Sequence, residues 1–365
     1  MKHAPARTSG RTLDRMTQRL ARWIPAVLAP VVVAGAVAVP LVAAAAPPDL
    51  PTRTPQQVLE LVAKAKDVAG FTGTVQQRSD LGLPSIPSAG AGTDTGTASA
   101  LDLLTGTRTA RVEVAGSSKA RIAVLDDSAE RDVVRDGRSV WLWSSKTNSA
   151  VHVTATGDAQ DRPTAGELPT PAEAAQELLS QVDGTTAVSV DTAQRVADRD
   201  AYTLVLTPKT SATTVGSVRI AVDAVTGLPL DLQVIARGAS SPAFETGFTS
   251  IDYTVPAASR FTFTPPKDAK VTTKTLDAGA RPQSHGSLPA SKRPTVDGSG
   301  WASVVTVPAD AVPADLAADA TVRRLTTAVD GGRVLRSALV NVLLTDDGRV
   351  LAGAVPVSRL ESAAG

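Results

Sequence analysis

Alternation of apolar and polar residues is the feature of this sequence that most restricts its fold. Between Phe71 and Val271 the segments ARVEV, RIAV, YTLVL, SVRIAVD and LDLQVIA place every second residue on an apolar face. This period of two is typical of strands with one buried face, and we count roughly nine or ten of them. Turn signals such as Asp136-Gly137 and Thr226-Gly227 separate the segments. Such short connections predict antiparallel neighbours.

Two segments carry the signals of amphipathic helices. The first runs from Thr54 to Gly70, with Thr54 as N-cap and Gln57 completing a capping box. The second starts at Thr170 with TPAEAAQELLSQVDG and repeats the Thr-Pro start, with Gly184 beyond its end. The sequence therefore predicts only two helices to cover the large sheet.

The imbalance between strands and helices raises the question of a cavity. A large antiparallel sheet twists and tends to curl, and two short helices are too small to seal its concave face. The remaining apolar surface is closed by a second sheet, filled by side chains or kept as a ligand cavity. Aromatic residues make up only 3% of the chain, so small aliphatic residues build the core. This composition is compatible with a cavity, but a β-sandwich without one satisfies the same pattern.

The N-terminus has the pattern of a targeting or anchoring element. Six basic residues precede an uncharged segment of 24 residues from Trp23 to Ala46, long enough to span a bilayer core of ~30 Å. We expect everything after Ala46 to lie outside the cytoplasm, secreted or at the outer face of the plasma membrane. Ala43 and Ala45 offer a cleavage site, so a signal peptide and a retained signal anchor both remain open.

Charge and residue usage exclude several classes of function. Without the first 46 residues, the chain has 31 basic and 35 acidic residues, a net charge of about −4, which argues against a nucleic-acid partner. The chain has no cysteine, and the only histidines after the N-terminal segment are His152 and His285. No nucleophile motif, zinc motif or phosphate-binding loop occurs. We therefore expect no catalytic residues, metal or cofactor.

The segment DGRSVWLWSSKTNSAVHV, from Asp136 to Val153, contains Trp141 and Trp143 on one face of a strand. Val140 and Leu142 alternate with them, so both faces of this strand are apolar. Two rings on one face are most often part of a core. The alternative is that they line a cavity mouth, where flat apolar surface suits an acyl chain.

A long interruption from Ser79 to Gly96, SDLGLPSIPSAGAGTDTG, is rich in Gly, Pro, Ser and Thr. It contains three apolar residues, Leu81, Leu83 and Ile86, which suit a lid over a cavity. A disordered insert is the other interpretation, since loops of this length are usually functional or disordered.

Composition divides the chain into four parts. We expect a basic flank and signal peptide or anchor over 1–46, a sheet domain over 47–275, a Pro/Gly/Ser-rich linker over 276–300 and a small unit over 301–365. In the last part WASVVTV predicts a strand, Asp315 to Val329 a helix, and the segment around Asp346-Asp347-Gly348 a hairpin. At this size the unit is expected to pack against the main domain.

In order along the chain, these elements resemble the LolA/RseB superfamily, also represented by MucB, in the branch seen in high-GC Gram-positive bacteria. The matching segments are GFTGTVQQ, DGRSVWLWSSKTNSAVHV, TPAEAAQELL, VADRDAYTLVLTPK, VDAVTGLPLDLQV and RFTFTPPKDAKV, over residues 52–272. The resemblance implies an α+β protein: a curved, unclosed antiparallel half-barrel whose helices cover its concave face, with the small C-terminal α+β unit added. It also implies non-enzymatic binding of lipids or lipoproteins.

The leading hypothesis is a carrier or chaperone that holds an acyl chain, lipid or lipoprotein tail between sheet and helices. The candidate cavity residues, which share an apolar character and a predicted inward face, are Val58, Leu61, Val62, Val112, Val114, Ile122, Val124, Trp141, Trp143, Leu178 and Leu179. The second hypothesis is an RseB-like envelope-stress sensor that binds a membrane anti-sigma factor. An envelope hydrolase is a third, weaker alternative because no catalytic set is present.

Overall fold

The computed structural model describes residues 47–83, 106–126, 129–156, 172, 175, 179, 182, 184–277, 292–313 and 316–365. The predicted signal peptide or anchor and most of the predicted linker lie outside these residues. So do two candidate site residues, Leu178 and Ile86. None of the helices in the described parts is long and apolar enough to cross a membrane.

Twelve strands form the main sheet. In chain order they are β1 (Gly70–Ser79), β2 (Gly106–Ala115), β3 (Lys119–Asp126), β4 (Ala129–Asp136), β5 (Ser139–Ser144), β6 (Ser149–Thr156), β7 (Thr186–Val196), β8 (Arg199–Pro208), β9 (Val215–Asp223), β10 (Pro229–Ala236), β11 (Pro242–Asp252) and β12 (Lys270–Asp277). Their spatial order is β12-β6-β5-β4-β3-β2-β1-β11-β10-β9-β8-β7, so in the described residues β12 and β7 are the two ends of an unclosed sheet. Among the strands of the described ranges, only the β12–β6 pair is parallel. The predicted unclosed, curved antiparallel half-barrel is confirmed.

Within the described residues the one continuous helix on the main sheet is α1 (Pro55–Ala63), and we call the face that it covers the concave face. The predicted capping box is present: the Thr54 hydroxyl accepts from the amide of Gln57, whose side chain accepts from the Thr54 amide. The helix ends earlier than predicted. Gly70 is the first residue of β1 rather than a helix cap. A glycine is needed there because a Cβ would lie 2.6 Å from the carbonyl oxygen of Val114 on β2.

The C-terminal part forms a second, six-stranded antiparallel sheet, ordered β13-β14-β18-β17-β16-β15. Its elements are β13 (Thr295–Asp297), β14 (Val304–Val307), α2 (Ala320–Leu325), β15 (Thr327–Val329), β16 (Gly332–Leu335), β17 (Asn341–Thr345), β18 (Val350–Gly353) and α3 (Val357–Ala364). The predicted hairpin at Asp346 to Gly348 is present. The predicted helix over 315–329 is wrong in extent, because its last three residues pair as a strand with β16.

The two sheets pack against each other through polar and apolar contacts. Thr213 Oγ1 donates to the carbonyl of Ala354 at 2.6 Å, and the amide of Thr214 donates to the same oxygen at 2.9 Å. Leu339 is buried in the cluster beneath α1. The C-terminal sheet thus closes part of the apolar core of the main sheet.

Candidate functional site

The helix α1 buries its apolar side on the concave face. Val58, Leu61 and Val62 are all buried, and they pack in one cluster with Leu204 of β8 and Ile220 of β9. Each of these strand residues is the inward member of an alternating pair, as the sequence pattern predicted. Three candidate residues therefore lie together in a packed core beneath the helix.

The turn between β9 and β10 fixes the end of α1. Gly227 has φ +76°, and a Cβ at this position would overlap the carbonyl oxygen of Leu61. The carboxylate of Asp223 accepts the amides of Val225 and Thr226 at 2.9 and 2.8 Å. The D-x-x-T-G turn thus has a second role, since it brings the backbone of the hairpin against the helix.

Asp223 is a fully buried acid whose charge is compensated inside the turn. Burial acts to raise its pKa, but the side-chain hydrogen bonds from Arg199 and the amides of Thr226 and Val225 outweigh burial. The pKa of Asp223 consequently lies below its usual value. Arg199 also stacks over the ring of Tyr253, 5.1 Å from its centroid. Asp223 is therefore a structural residue, and its carboxylate faces no open surface.

A second apolar cluster continues the concave face beyond the helix. It contains Val112, Ile122 and Val124, all buried, with Val114 half-buried at its margin. Phe71 and Phe248 meet edge to face at a centroid distance of 5.7 Å in the same cluster. The strand register places these four candidate residues on the same face as the strand residues beneath α1.

The concave face continues as a row of aliphatic side chains across five strands. Residues directly opposite each other in an antiparallel pair point to the same side. The register therefore places on one face the row Val112, Ile122, Val133, Leu142 and Val151. Its first two members are buried, whereas Val133, Leu142 and Val151 are only half-buried. We call these three half-buried residues the aliphatic strip.

The residues of the aliphatic strip were not among the candidates from the sequence. The one sequence signal for them was the alternation of Leu142 with the tryptophans. The lengths of the turns fix the register, and the two residues between Asp136 and Ser139 place Leu142 opposite Val133. Arg131 and Arg135 flank Val133 on the same face of β4.

The structure does not bring Trp141 and Trp143 to this surface. The neighbouring row runs Glu113, Arg121, Val134, Trp141 and His152, and it occupies the opposite, convex face. The expectation that the tryptophans line one cavity with Val112 and Ile122 is corrected by this register. Both faces of β5 are apolar, so alternation alone does not tell which face is concave.

On the convex face the tryptophans contact the chain's own residues. Trp141 stacks on His152 with centroids 4.2 Å apart, and Phe263 lies 5.5 Å from Trp141 and 6.1 Å from Trp143. Arg260, in the same segment as Phe263, pairs with the buried carboxylate of Glu113. The segment preceding β12 is thus held against the outside of the sheet.

The remaining candidate residues lie near α1. Leu179 is helical and packs against the cluster beneath α1, where the neighbouring Ala175 is fully buried. Leu81 packs against the same cluster, and its carbonyl accepts the amide of Ala338 from the C-terminal part at 2.9 Å. Leu83 is half-buried.

The concave surface offers apolar contact rather than reactive groups. Among the residues that the structure describes, no group of three His, Asp or Glu side chains is placed to hold a metal ion. The single described histidine, His152, lies on the convex face and shares a 2.8 Å hydrogen bond with Ser139 Oγ.

Comparison with known proteins gives similarities in structure alone. No protein-family model matches the sequence, and no curated protein matches it. The complex of MucA and MucB from Pseudomonas aeruginosa is similar at 17% identity, over 85% of this chain and 96% of that chain, with a TM-score of 0.43. A LolA superfamily protein from Nitrosomonas europaea is 13% identical, over 58% and 99%, with a TM-score of 0.23.

An uncharacterised conserved protein from Thermus thermophilus is also similar, at 14% identity over 60% of this chain and 98% of that chain, with a TM-score of 0.35. By its own strand order and covering helix, the chain is a curved, unclosed half-barrel. At these TM-scores the similarities carry no conclusion about what it binds.

Proposed function

We propose that this protein binds an acyl chain, of a lipid or of a lipoprotein, on the concave face of its half-barrel. The observation that supports this proposal is the aliphatic strip. Val133, Leu142 and Val151 continue the buried row of Val112 and Ile122 but are themselves only half-buried. An apolar ligand that covers the strip extends the core without needing a specific polar partner.

The energetics suit an acyl chain. Each buried methylene contributes about 0.8 kcal/mol, so a chain lying along three strands gains several kcal/mol. The proposed function is non-enzymatic, because burial alone accounts for binding. It is exercised outside the cytoplasm, as the basic flank and the apolar segment from Trp23 to Ala46 indicate. Through that segment the protein also meets the plasma membrane.

The test compares a double variant of the strip with a control variant that carries the same kind of substitution elsewhere. Val133→Thr combined with Val151→Thr keeps the shape of the strip but makes it polar, and uptake of a fluorescent fatty acid should weaken by about tenfold. Val271→Thr, on the convex side of β12 opposite Ala150, is the control and should leave uptake unchanged. Native mass spectrometry of the whole chain released from detergent should also reveal a bound lipid or acylated peptide. Equal uptake of the fatty acid by the wild type, the double variant and the control would reject the concave site.

A second candidate function is that of an RseB-like regulator that binds a membrane anti-sigma factor. The observation that favours it is the C-terminal sheet, whose end strands in the described residues are β13 and β15. A sheet edge can accept a strand from a partner. A photo-crosslinker at Ala328 in β15 should then capture a membrane protein whose cytoplasmic part binds a sigma factor. A crosslinker at the exposed Val225 is the control.

A further inference from the structure

The convex face carries a cleft that the proposed function does not use. It has a volume of about 350 Å³, at the small end of the range of about 300–1,000 Å³ for ligand sites. It lies on the side of β10 and β11 that α1 does not cover, beside the end of β7. Its polar lining includes Gln76, Arg78, Arg195, Asp231, Gln233 and Glu245.

Two local features form the cleft. The register of β7 against β8 shifts between Asp191 and Gln194, and such a bulge bends a strand. Gly247 of β11 lies directly opposite Asp231 of β10, and a Cβ on this glycine would overlap Asp231 Oδ1. The glycine therefore leaves room for the carboxyl group at the floor of the cleft.

Asp231 is unusually buried for an acid on the outer face of a sheet. It is only 6% exposed, and it still lines the cleft. Burial, and secondly the charge of Glu245, raise the pKa of Asp231 to about 8, although a hydrogen bond from Gln233 partly offsets them. Gln233 Nε2 also donates to Glu245 Oε1 at 3.1 Å. The floor is thus a pair of carboxyl groups that lacks a compensating cation.

The cations of the cleft are Arg78 and Arg195, and Arg78 is the cross-strand partner of Glu245 on the same face. Arg195 donates to Asp200 at 3.0 Å, and Arg78 is exposed. Within the described residues no ion pair joins Arg78 or Arg195 to Asp231 or Glu245. The cleft is therefore dipolar, with an acidic floor and basic groups at its margin.

The ligand chemistry follows from this separation of charge. A metal ion is disfavoured because the cleft supplies only two carboxylates, and the described residues hold no cluster of three. A purely cationic ligand would meet the two arginines, and a purely anionic one would meet the acid pair. A zwitterion satisfies both ends, with its ammonium group on the carboxylates and its carboxylate near a guanidinium group.

We propose that this cleft binds a small zwitterion, an amino acid or short peptide with free ammonium and carboxylate groups, between the Asp231–Glu245 pair and Arg78. The proposal is independent of acyl-chain binding, because Leu232, the strand neighbour of Asp231, faces the concave side. Either site can fail without the other.

The test uses three probes on the whole chain in a mild detergent. L-Alanyl-L-alanine should bind in calorimetric titrations, with saturation reached by about 1 mM. N-acetyl-alanyl-alanine lacks the ammonium group, and alanyl-alanine amide lacks the carboxylate, so each should bind at least about tenfold more weakly. Equal binding of the acetylated peptide would overturn the proposal, as would failure of the free dipeptide to bind.

Variants connect the binding to the named residues. Asp231→Asn and Arg78→Gln should each weaken dipeptide binding about tenfold, whereas Asp252→Asn, an exposed acid whose carboxylate accepts the Thr254 amide, should not. At about pH 6.5, binding to the wild type should release a proton from Asp231, seen as different heats in phosphate and imidazole buffers. Asp231→Asn should abolish that difference. If this variant does not fold, Glu245→Gln and Arg78→Gln still decide the matter, and unchanged binding by both rejects the site.

Discussion

At the scale of single residues, Gly227 determines how closely the covering helix approaches the sheet. Gly227→Ala places a methyl group against the carbonyl oxygen of Leu61 and keeps a left-handed backbone. We expect the free energy of unfolding to fall by about 2–4 kcal/mol. Gly238→Ala is the control: its φ is +80° but nothing lies near, so it should cost only about 1 kcal/mol. Equal losses in urea unfolding would contradict the close contact.

Asp231 makes the stability of the protein depend on pH. Its folded pKa of about 8 lies above the ordinary 3.8, so the folded state holds more protons between these values. The contribution of Asp231 to stability is therefore complete at low pH and is lost as the pH rises towards about 8, by up to about 1.4 kcal/mol per unit. Denaturant midpoints measured across this range should fall for the wild type and fall less for Asp231→Asn. Parallel curves for the two proteins would contradict this expectation.

At the scale of elements, strand β5 separates two environments. Its tryptophans contact Phe263 on the convex face, while Leu142 belongs to the aliphatic strip on the concave face. Phe263→Ala should red-shift tryptophan emission and lower the free energy of unfolding by about 1–2 kcal/mol, because aromatic contacts and burial are lost. Uptake of a fluorescent fatty acid should stay unchanged. Loss of uptake in this variant would place the ligand on the convex side.

At the scale of the whole molecule, a few hydrogen bonds connect the two sheets. Thr213 is buried, donates to Ala354 and accepts the amide of Val215 at 3.2 Å. Thr213→Val removes both of these hydrogen bonds, but the Ala354 carbonyl still accepts the Thr214 amide, so the cost should be about 1 kcal/mol. Amide hydrogen exchange should then show faster opening at Leu343 and Leu351, in the C-terminal core, than at Ile220. The exposed Thr272→Val is the control, and identical exchange in both variants would argue against this coupling.

The alternating segments, the capping box at Thr54 and the turn at Thr226-Gly227 were predictable from the sequence, because each depends on neighbours a few residues away. The antiparallel pairing of neighbouring strands and the unclosed half-barrel followed from those strands together with the resemblance, whereas the strand order did not. The helix predicted over 315–329 was too long, since pairing with β16 overrides the local propensity there. The cleft at Asp231 carries no local signal, because its walls come from β1, β7, β10 and β11.

The sequence by itself determined which residues alternate, where the turns fall and that the sheet has more apolar surface than its helices can cover. Only the tertiary structure decided which side of each strand faces the helix. A strand such as β5 is apolar on both sides, and its alternation is the same whichever side is concave. Register across five strands places Leu142 with Ile122 and Trp141 with Glu113, and this pairing depends on contacts between residues far apart in the chain.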